Sequence, residues 1–262
     1  MNLNRNTLND SSVKVGGDNV EATFLDFSQE VTKVLGKRKI AESKINEIIS
    51  LLPKKPCPDQ QVGKIGEIFQ KECGVCSNPF RRDEIIYSDQ KRVVIILESP
   101  HEKEYQQIDK DWEPIGPACG CTGCRLARNW RNVFGDRFLD SELILMNVIR
   151  FQCSLASAGS YKKYKNAILK GCLENEMFVS DFKNRVLKLR NKRTVFINAC
   201  TGGGGRSSAN KKVSGFLSSW KIDAVSLWHP SVWICPKVVE KQHDRISTCF
   251  PETDTLEYRT TL

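Results

Sequence analysis

Three apolar runs, each ending in polar residues, limit what this chain can fold into. They are Val93-Val94-Ile95-Ile96-Leu97-Glu98-Ser99-Pro100-His101, Leu143-Ile144-Leu145-Met146-Asn147 and Ala224-Val225-Ser226-Leu227-Trp228-His229-Pro230-Ser231. Short apolar runs without polar alternation fit strands covered on both faces, as in a parallel sheet. Ligands of such sheets bind beyond the carboxyl ends of the strands. The runs therefore aim Glu98, Asn147 and His229 at one crevice. A carboxylate, an amide and an imidazole converging there suit recognition of a planar heterocycle and stabilisation of a leaving group.

Thr194-Val195-Phe196-Ile197-Asn198 reads as a further buried strand, followed by the glycine-rich stretch Thr201–Ser208. Helical spacing runs over 20–35 and 38–52, where Ile40, Ile45, Ile48, Ile49 and Leu52 share a face and Pro53 and Pro56 end it. Shorter helices are expected within 61–71, 125–135, 161–172 and 173–190, with a long polar loop over 99–124. Strands alternating with helices predict an α/β fold: a three-layer α/β/α domain with a central, mostly parallel four-stranded sheet, plus an N-terminal helical extension. The expected organisation is a disordered tail over 1–18, the extension over 19–72 and the main domain over 73–262.

The 262 residues carry a net charge of +9, which suits a polyanionic partner. No apolar stretch approaches the roughly 18 residues of a membrane span, and the polar N-terminus has no signal-peptide core. A cytoplasmic monomer with a polyanionic partner and no membrane is expected. Arg125, Arg128 and Arg131 recur every third residue on one expected helix, and six basic residues lie between Lys183 and Arg193. The latter run also reads as a solvated helix face. The stretch Thr201–Lys212 combines four glycines with Arg206, Ser207, Ser208, Lys211 and Lys212, but lacks the spacing of a nucleotide-triphosphate loop. Its glycines let backbone amides approach phosphates closely.

Eleven cysteines without a secretion signal point to metal or free thiols rather than disulfides. Cys73-Gly-Val-Cys76 and Cys121-Thr-Gly-Cys124 are two C-x2-C turns, and four thiolates from such turns suit a structural, tetrahedral zinc.

In their order and wording, the three strand-end motifs resemble the uracil-DNA glycosylase superfamily, over roughly residues 73 to 237. The likeness is nearest to its iron-sulfur-type branch, through Glu98 in the first loop, Asn147-Val148-Ile149-Arg150, and His229-Pro230-Ser231. It implies that Asn147 binds the base edge and that His229 donates to the base O2 as negative charge develops. It further implies that Glu98 positions water or steadies the sugar cation, with Glu102 and Glu104 as rivals. Ser231 and Ser208, the latter in a segment with Lys211, would hold phosphates. Trp233 falls where relatives place a wedge residue, and a buried core Trp is the competing reading. The resemblance also implies a 4Fe-4S cluster on Cys73, Cys76, Cys153 and Cys172 as the alternative to zinc.

The chain departs from the family at three places in this region. Ser99 stands where the best-known branch has Asp and the nearest has Ala, His101 replaces a Gly or Tyr, and Ala118 replaces a stacking Phe. The lost ring points to a wider pocket or to stacking by Tyr105 or Trp112. The expected activity is that of a monofunctional DNA glycosylase, acting on uracil in repair or on a larger modified pyrimidine, such as a phage cytosine, in antiviral defence. The alternative is a non-catalytic DNA-binding sensor on the same fold.

Overall fold

The computed structural model describes residues 21–68, 84–87, 89–109, 111–201 and 209–250. The uniformly apolar runs form the middle of a five-stranded sheet. Its strands are β1 (Gln60–Lys64), β2 (Arg92–Leu97), β5 (Glu142–Asn147), β6 (Thr194–Asn198) and β7 (Ala224–Ser226), in the order β1-β5-β2-β6-β7. Strands β5, β2, β6 and β7 pair in parallel, and β1 adds an antiparallel edge. The sheet is thus mixed and five-stranded, where a mostly parallel four-stranded sheet was expected. The extra strand, Gln-Gln-Val-Gly-Lys, falls where a helix was expected within the N-terminal extension. A polar edge strand carries little apolar signal, and a bulge between Gln61 and Gly63 further breaks its alternation.

Alternate residues of β2 point to opposite faces, as strand geometry requires. Val94 and Ile96 join one apolar cluster, and Val93, Ile95 and Leu97 join the other. The first cluster is closed by α1 (Phe24–Gly36), α2 (Glu42–Ser50), α5 (Lys165–Cys172), α6 (Glu176–Leu189) and α7 (Ala209–Ser219). The second is closed by α3 (Ile65–Ile68), α4 (Cys121–Phe134) and α8 (Pro236–Cys249). The N-terminal helices therefore belong to the main core: α1 starts at a Thr23–Asp26 capping box and buries Phe27, Val31 and Leu35 beside α5. The long loop after β2 contains a short hairpin, β3 (Tyr105–Ile108) with β4 (Asp111–Pro114). No described helix is long and apolar enough to cross a membrane.

One buried ion-pair network fixes the chain that follows β5. The guanidinium of Arg185, on α6, bonds both carboxylate oxygens of Asp59 at 2.8 and 2.9 Å and Asp181 at 3.0 Å. It also donates to the backbone carbonyls of Asn147 at 2.9 Å and Val148 at 2.8 Å. Arg150 joins through Asp181 at 2.7 Å. Burial pushes the Asp59 carboxyl up, while the forked contact with Arg185 favours its charged form. Arg185→Met strands Asp59 as a buried charge and leaves Asp181 to Arg150 alone, and should cost roughly 3–5 kcal/mol. Urea unfolding reads this out as a lower midpoint at unchanged slope; an unshifted midpoint would show the network to be dispensable.

Candidate functional site

Parallel pairing sets Leu97 opposite Asn147, so β2 and β5 end together. Beyond the ends, Val148 N–H donates to the Leu97 carbonyl at 2.8 Å and Ile149 N–H to the Glu98 carbonyl at 2.9 Å. Glu98 and Asn147 thus leave adjacent strands as neighbouring loop residues. His229 follows β7, which β6 separates from β2.

Glu98 is buried and held from two sides. Lys165 Nζ, at the start of α5, lies 2.6 Å from Oε2, and the Thr201 N–H, just past β6, donates to Oε1 at 3.1 Å. A carboxylate has about four acceptor positions, so Glu98 retains capacity for a water. Nothing in the sequence marked Lys165: it opens a helix far from the three motifs, and only the return of α5 to the strand ends brings it in.

The His229 ring is fixed through Nδ1, which accepts the Ser231 N–H at 3.1 Å and lies 2.8 Å from Ser231 Oγ. Since Nδ1 acts as acceptor, the neutral ring carries its proton on Nε2 and presents a donor there. Burial pulls the His229 pKa down to about 4; Glu98 opposes the shift, while Lys165 and Arg125 add to it. These couplings place Glu98, Lys165 and His229 in one electrostatic neighbourhood. Arg125 also donates to the Ser231 carbonyl, which ties α4 to the His-Pro-Ser turn.

Asn147 is almost fully buried. Its Nδ2 donates to Glu104 Oε2 at 3.0 Å and lies 4.0 Å from Cys57 Sγ, while Oδ1 has no partner among the described residues. Ser99 Oγ is likewise buried without one. Unsatisfied buried polar atoms are rare enough to call for a reason, and a ligand group supplies one. Glu104 is thereby the residue that holds Asn147, whereas the sequence offered it as a rival to Glu98. His101 is exposed at the mouth, its pKa lowered by partial burial and by Lys103, Lys165 and Lys162 against Glu102.

Other sequence-selected residues fall elsewhere. Trp233 is only 1% exposed, packs edge-on against Phe134 and donates its indole N–H to the Trp228 carbonyl at 2.9 Å. The expected wedge is therefore a core residue, because the 3-10 turn Pro230–Val232 rotates Trp233 inward onto α4. The apolar side chains that this loop does expose are Trp228, Val232 and Ile234. Ala118 is fully buried in the second apolar cluster at φ +57°. Tyr105 is buried with its hydroxyl on the Arg150 carbonyl, while Trp112 is partly exposed. Lys211 is exposed, and Ser208 lies outside the described residues.

Cys73 and Cys76, common to both candidate metal sets, also lie outside the described residues. Cys121 is exposed and Cys124 buried, within one turn of α4. Cys153 and Cys172 are fully buried in the first cluster, where burial first and Cys153 second push the Cys172 thiol up. No group of three or more metal-binding side chains occurs among the described residues. The adjoining Cys153 and Cys172 fit as one half of a four-thiolate site, as the pair on α4 does by its spacing.

No family model, curated protein or solved structure matches this chain.

The His229 assignment has a direct check. With its folded pKa depressed from about 6.5 to about 4, the unfolded chain binds the proton first as pH falls. His229 then contributes a loss of stability between these two values and none above them. NMR titration of the imidazole should show a neutral ring through pH 5 with the proton on Nε2; a midpoint near the ordinary value would refute the assignment.

Proposed function

We propose that this crevice is the active site of a monofunctional DNA glycosylase, which flips a nucleotide from DNA and hydrolyses its N-glycosidic bond. The observation that carries the reading is an imidazole fixed at Nδ1 as an acceptor and a carboxylate clamped by Lys165 and Thr201, both beyond the strand ends. As the bond from C1′ to the base breaks, its electron pair leaves with the base. The Nε2–H of His229 meets the growing negative charge without itself being a cation, and a fixed donor of this kind stabilises the transition state more than the ground state. Glu98 opposes the positive charge building on the sugar and holds the water that adds to C1′. That water loses a proton, the departing base gains one, and an abasic site remains. Asn147 and its unpartnered Oδ1 read the base edge.

The base is uracil or a larger modified pyrimidine, with repair or antiviral defence as the corresponding role in the cytoplasm. Support for DNA as partner comes from the net charge and from Arg128 and Arg131, exposed on the helix that Arg125 ties to the His229 turn. Trp228, Val232 and Ile234 are the candidates that take over the wedge role from Trp233, since they are the exposed apolar side chains beside that turn; filling a flipped-out gap calls for such groups. Phosphate contacts by Arg128, Arg131, Lys211, Ser208 and Ser231 make binding strongly salt-dependent.

A structural metal on four cysteines accompanies this reading. The contact between Cys153 and Cys172 supports the cluster set, with Cys73 and Cys76 as its other half. Anaerobically purified protein should then be brown, and Cys172→Ser should bleach it. Colourless protein that loses zinc in Cys121→Ser would instead establish the set with Cys121 and Cys124.

Duplexes carrying uracil, hypoxanthine, hydroxymethylcytosine or its glucosylated form, with freed bases identified by mass spectrometry, test the activity. Release of a pyrimidine is expected. His229→Ala should slow the single-turnover rate by about 100- to 1,000-fold, and Asn147→Ala should abolish release while DNA binding persists. No release from any duplex, with tight DNA binding, would favour the sensor reading.

A further inference from the structure

The side chain of Asn147 is held in a way that decides which of its two polar atoms can meet a ligand. Nδ2 points to Glu104 Oε2 at 3.0 Å, and Oδ1 has no partner among the described residues. An amide can turn over and exchange these atoms, but an ionised carboxylate only accepts hydrogen bonds. With Glu104 ionised, the pair is satisfied in one orientation alone: Nδ2 towards Glu104 and Oδ1 away from it.

Glu104 is itself fixed. It is 5% exposed and ends the 3-10 turn Glu102–Glu104, where its N–H donates to the His101 carbonyl at 2.9 Å. Its own carbonyl accepts the Ile115 N–H at 2.8 Å from across the β3–β4 hairpin. On the other side, the backbone of Asn147 is gripped by Arg185 at 2.9 Å. Both partners are thus anchored before any ligand arrives, and a carboxylate–amide bond between anchored groups sets the polarity of what remains.

We propose that Glu104 is a positioning residue that fixes the Asn147 amide so that its acceptor Oδ1, and not its NH2, reads the substrate. The class of group recognised is an N–H donor on a planar heterocycle, either a ring imide or an exocyclic amine. A base that offers only a lone pair at this point is refused, because two acceptors meet in a buried site. The proposal rests on the glycosylase reading of the crevice.

The test exchanges the two amide and acid functions without changing shape. Asn147→Asp alone sets two carboxyl groups against each other, and single-turnover base release from the four duplexes named above should fall by at least about 100-fold. In the double variant Glu104→Gln with Asn147→Asp, the introduced glutamine amide becomes the donor, the introduced carboxylate accepts, and an acceptor oxygen again remains outward. Release should recover at least about tenfold over the single variant. A double variant that folds, by circular dichroism, yet stays as slow as Asn147→Asp overturns the proposal, since an outward NH2 would then be what the substrate needs. A second arm does not depend on turnover. The side-chain NH2 signal of Asn147 in 15N-labelled protein should show one proton shifted downfield, and Glu104→Leu should abolish that shift. An unchanged signal overturns the clamp whatever the activity. If the clamp is seen but the wild type releases no base from any duplex, the glycosylase reading fails, and the role in substrate reading fails with it.

Discussion

The positions of Asn147 and of the loop beside Glu98 are referred to one guanidinium. Arg185 reaches from α6 into the carboxyl end of the sheet and takes two successive carbonyls, those of Asn147 and Val148. Only a planar group with five fixed donors can also satisfy Asp59 and Asp181 at the same time. What depends on it is more than local. The chain it holds donates to the Glu98 carbonyl through Ile149, and the Arg150 carbonyl accepts from both Cys57 N–H and Tyr105 Oη. Four separate stretches of sequence are thereby registered on one loop. Burying so many charges carries a large desolvation cost, and what the network holds in return is the backbone of Asn147 and Val148.

Electrostatics in the crevice follow from a second pairing. Glu98, left alone near His229, would favour the imidazolium; its effect on His229 is upward. Lys165 sits 2.6 Å from that carboxylate and acts on His229 in the opposite direction. The lysine therefore lets a carboxylate and a neutral imidazole share one site. Burial then decides the outcome, and the ring stays uncharged with its Nε2 proton available. A cation at His229 would stabilise an anionic base too, but it would need its charge desolvated before any substrate arrived.

The elements legible in the sequence were those whose signal is local. Strands β2, β5 and β6 announce themselves by unbroken apolar runs, α1 and α2 by their spacing, and α2 also by the prolines that follow. Strand β1 was missed because two glutamines, a glycine and a lysine carry no strand signature; its pairing with β5 supplies what its composition lacks. The placement of Glu98, Asn147 and His229 at or beyond the strand ends was legible because the apolar runs stop just before them. Their partners were not. Lys165, Glu104 and Arg185 are charged residues on segments that look solvated, and Arg185 lay inside a run read as a solvated basic face. Whether such a residue faces water or a carboxylate depends on long-range packing. Trp233 shows the reverse case: its motif position suggested exposure, but a tight turn delivers it to the core.

The spacing of the sheet limits what can occupy the crevice. Asn147 leaves β5 and His229 follows β7, with β2 and β6 between them. Three strand intervals separate them by roughly 14 Å, too far for an amide and an imidazole to meet directly. Each is nonetheless anchored from behind, Asn147 by Glu104 and Arg185 and His229 by Ser231, which leaves Oδ1 of the one and Nε2 of the other for a third body. An acceptor at one end and a donor at the other define a ligand with an N–H on one edge and an electron-rich atom opposite. A pyrimidine ring with its O2 towards His229 has that polarity.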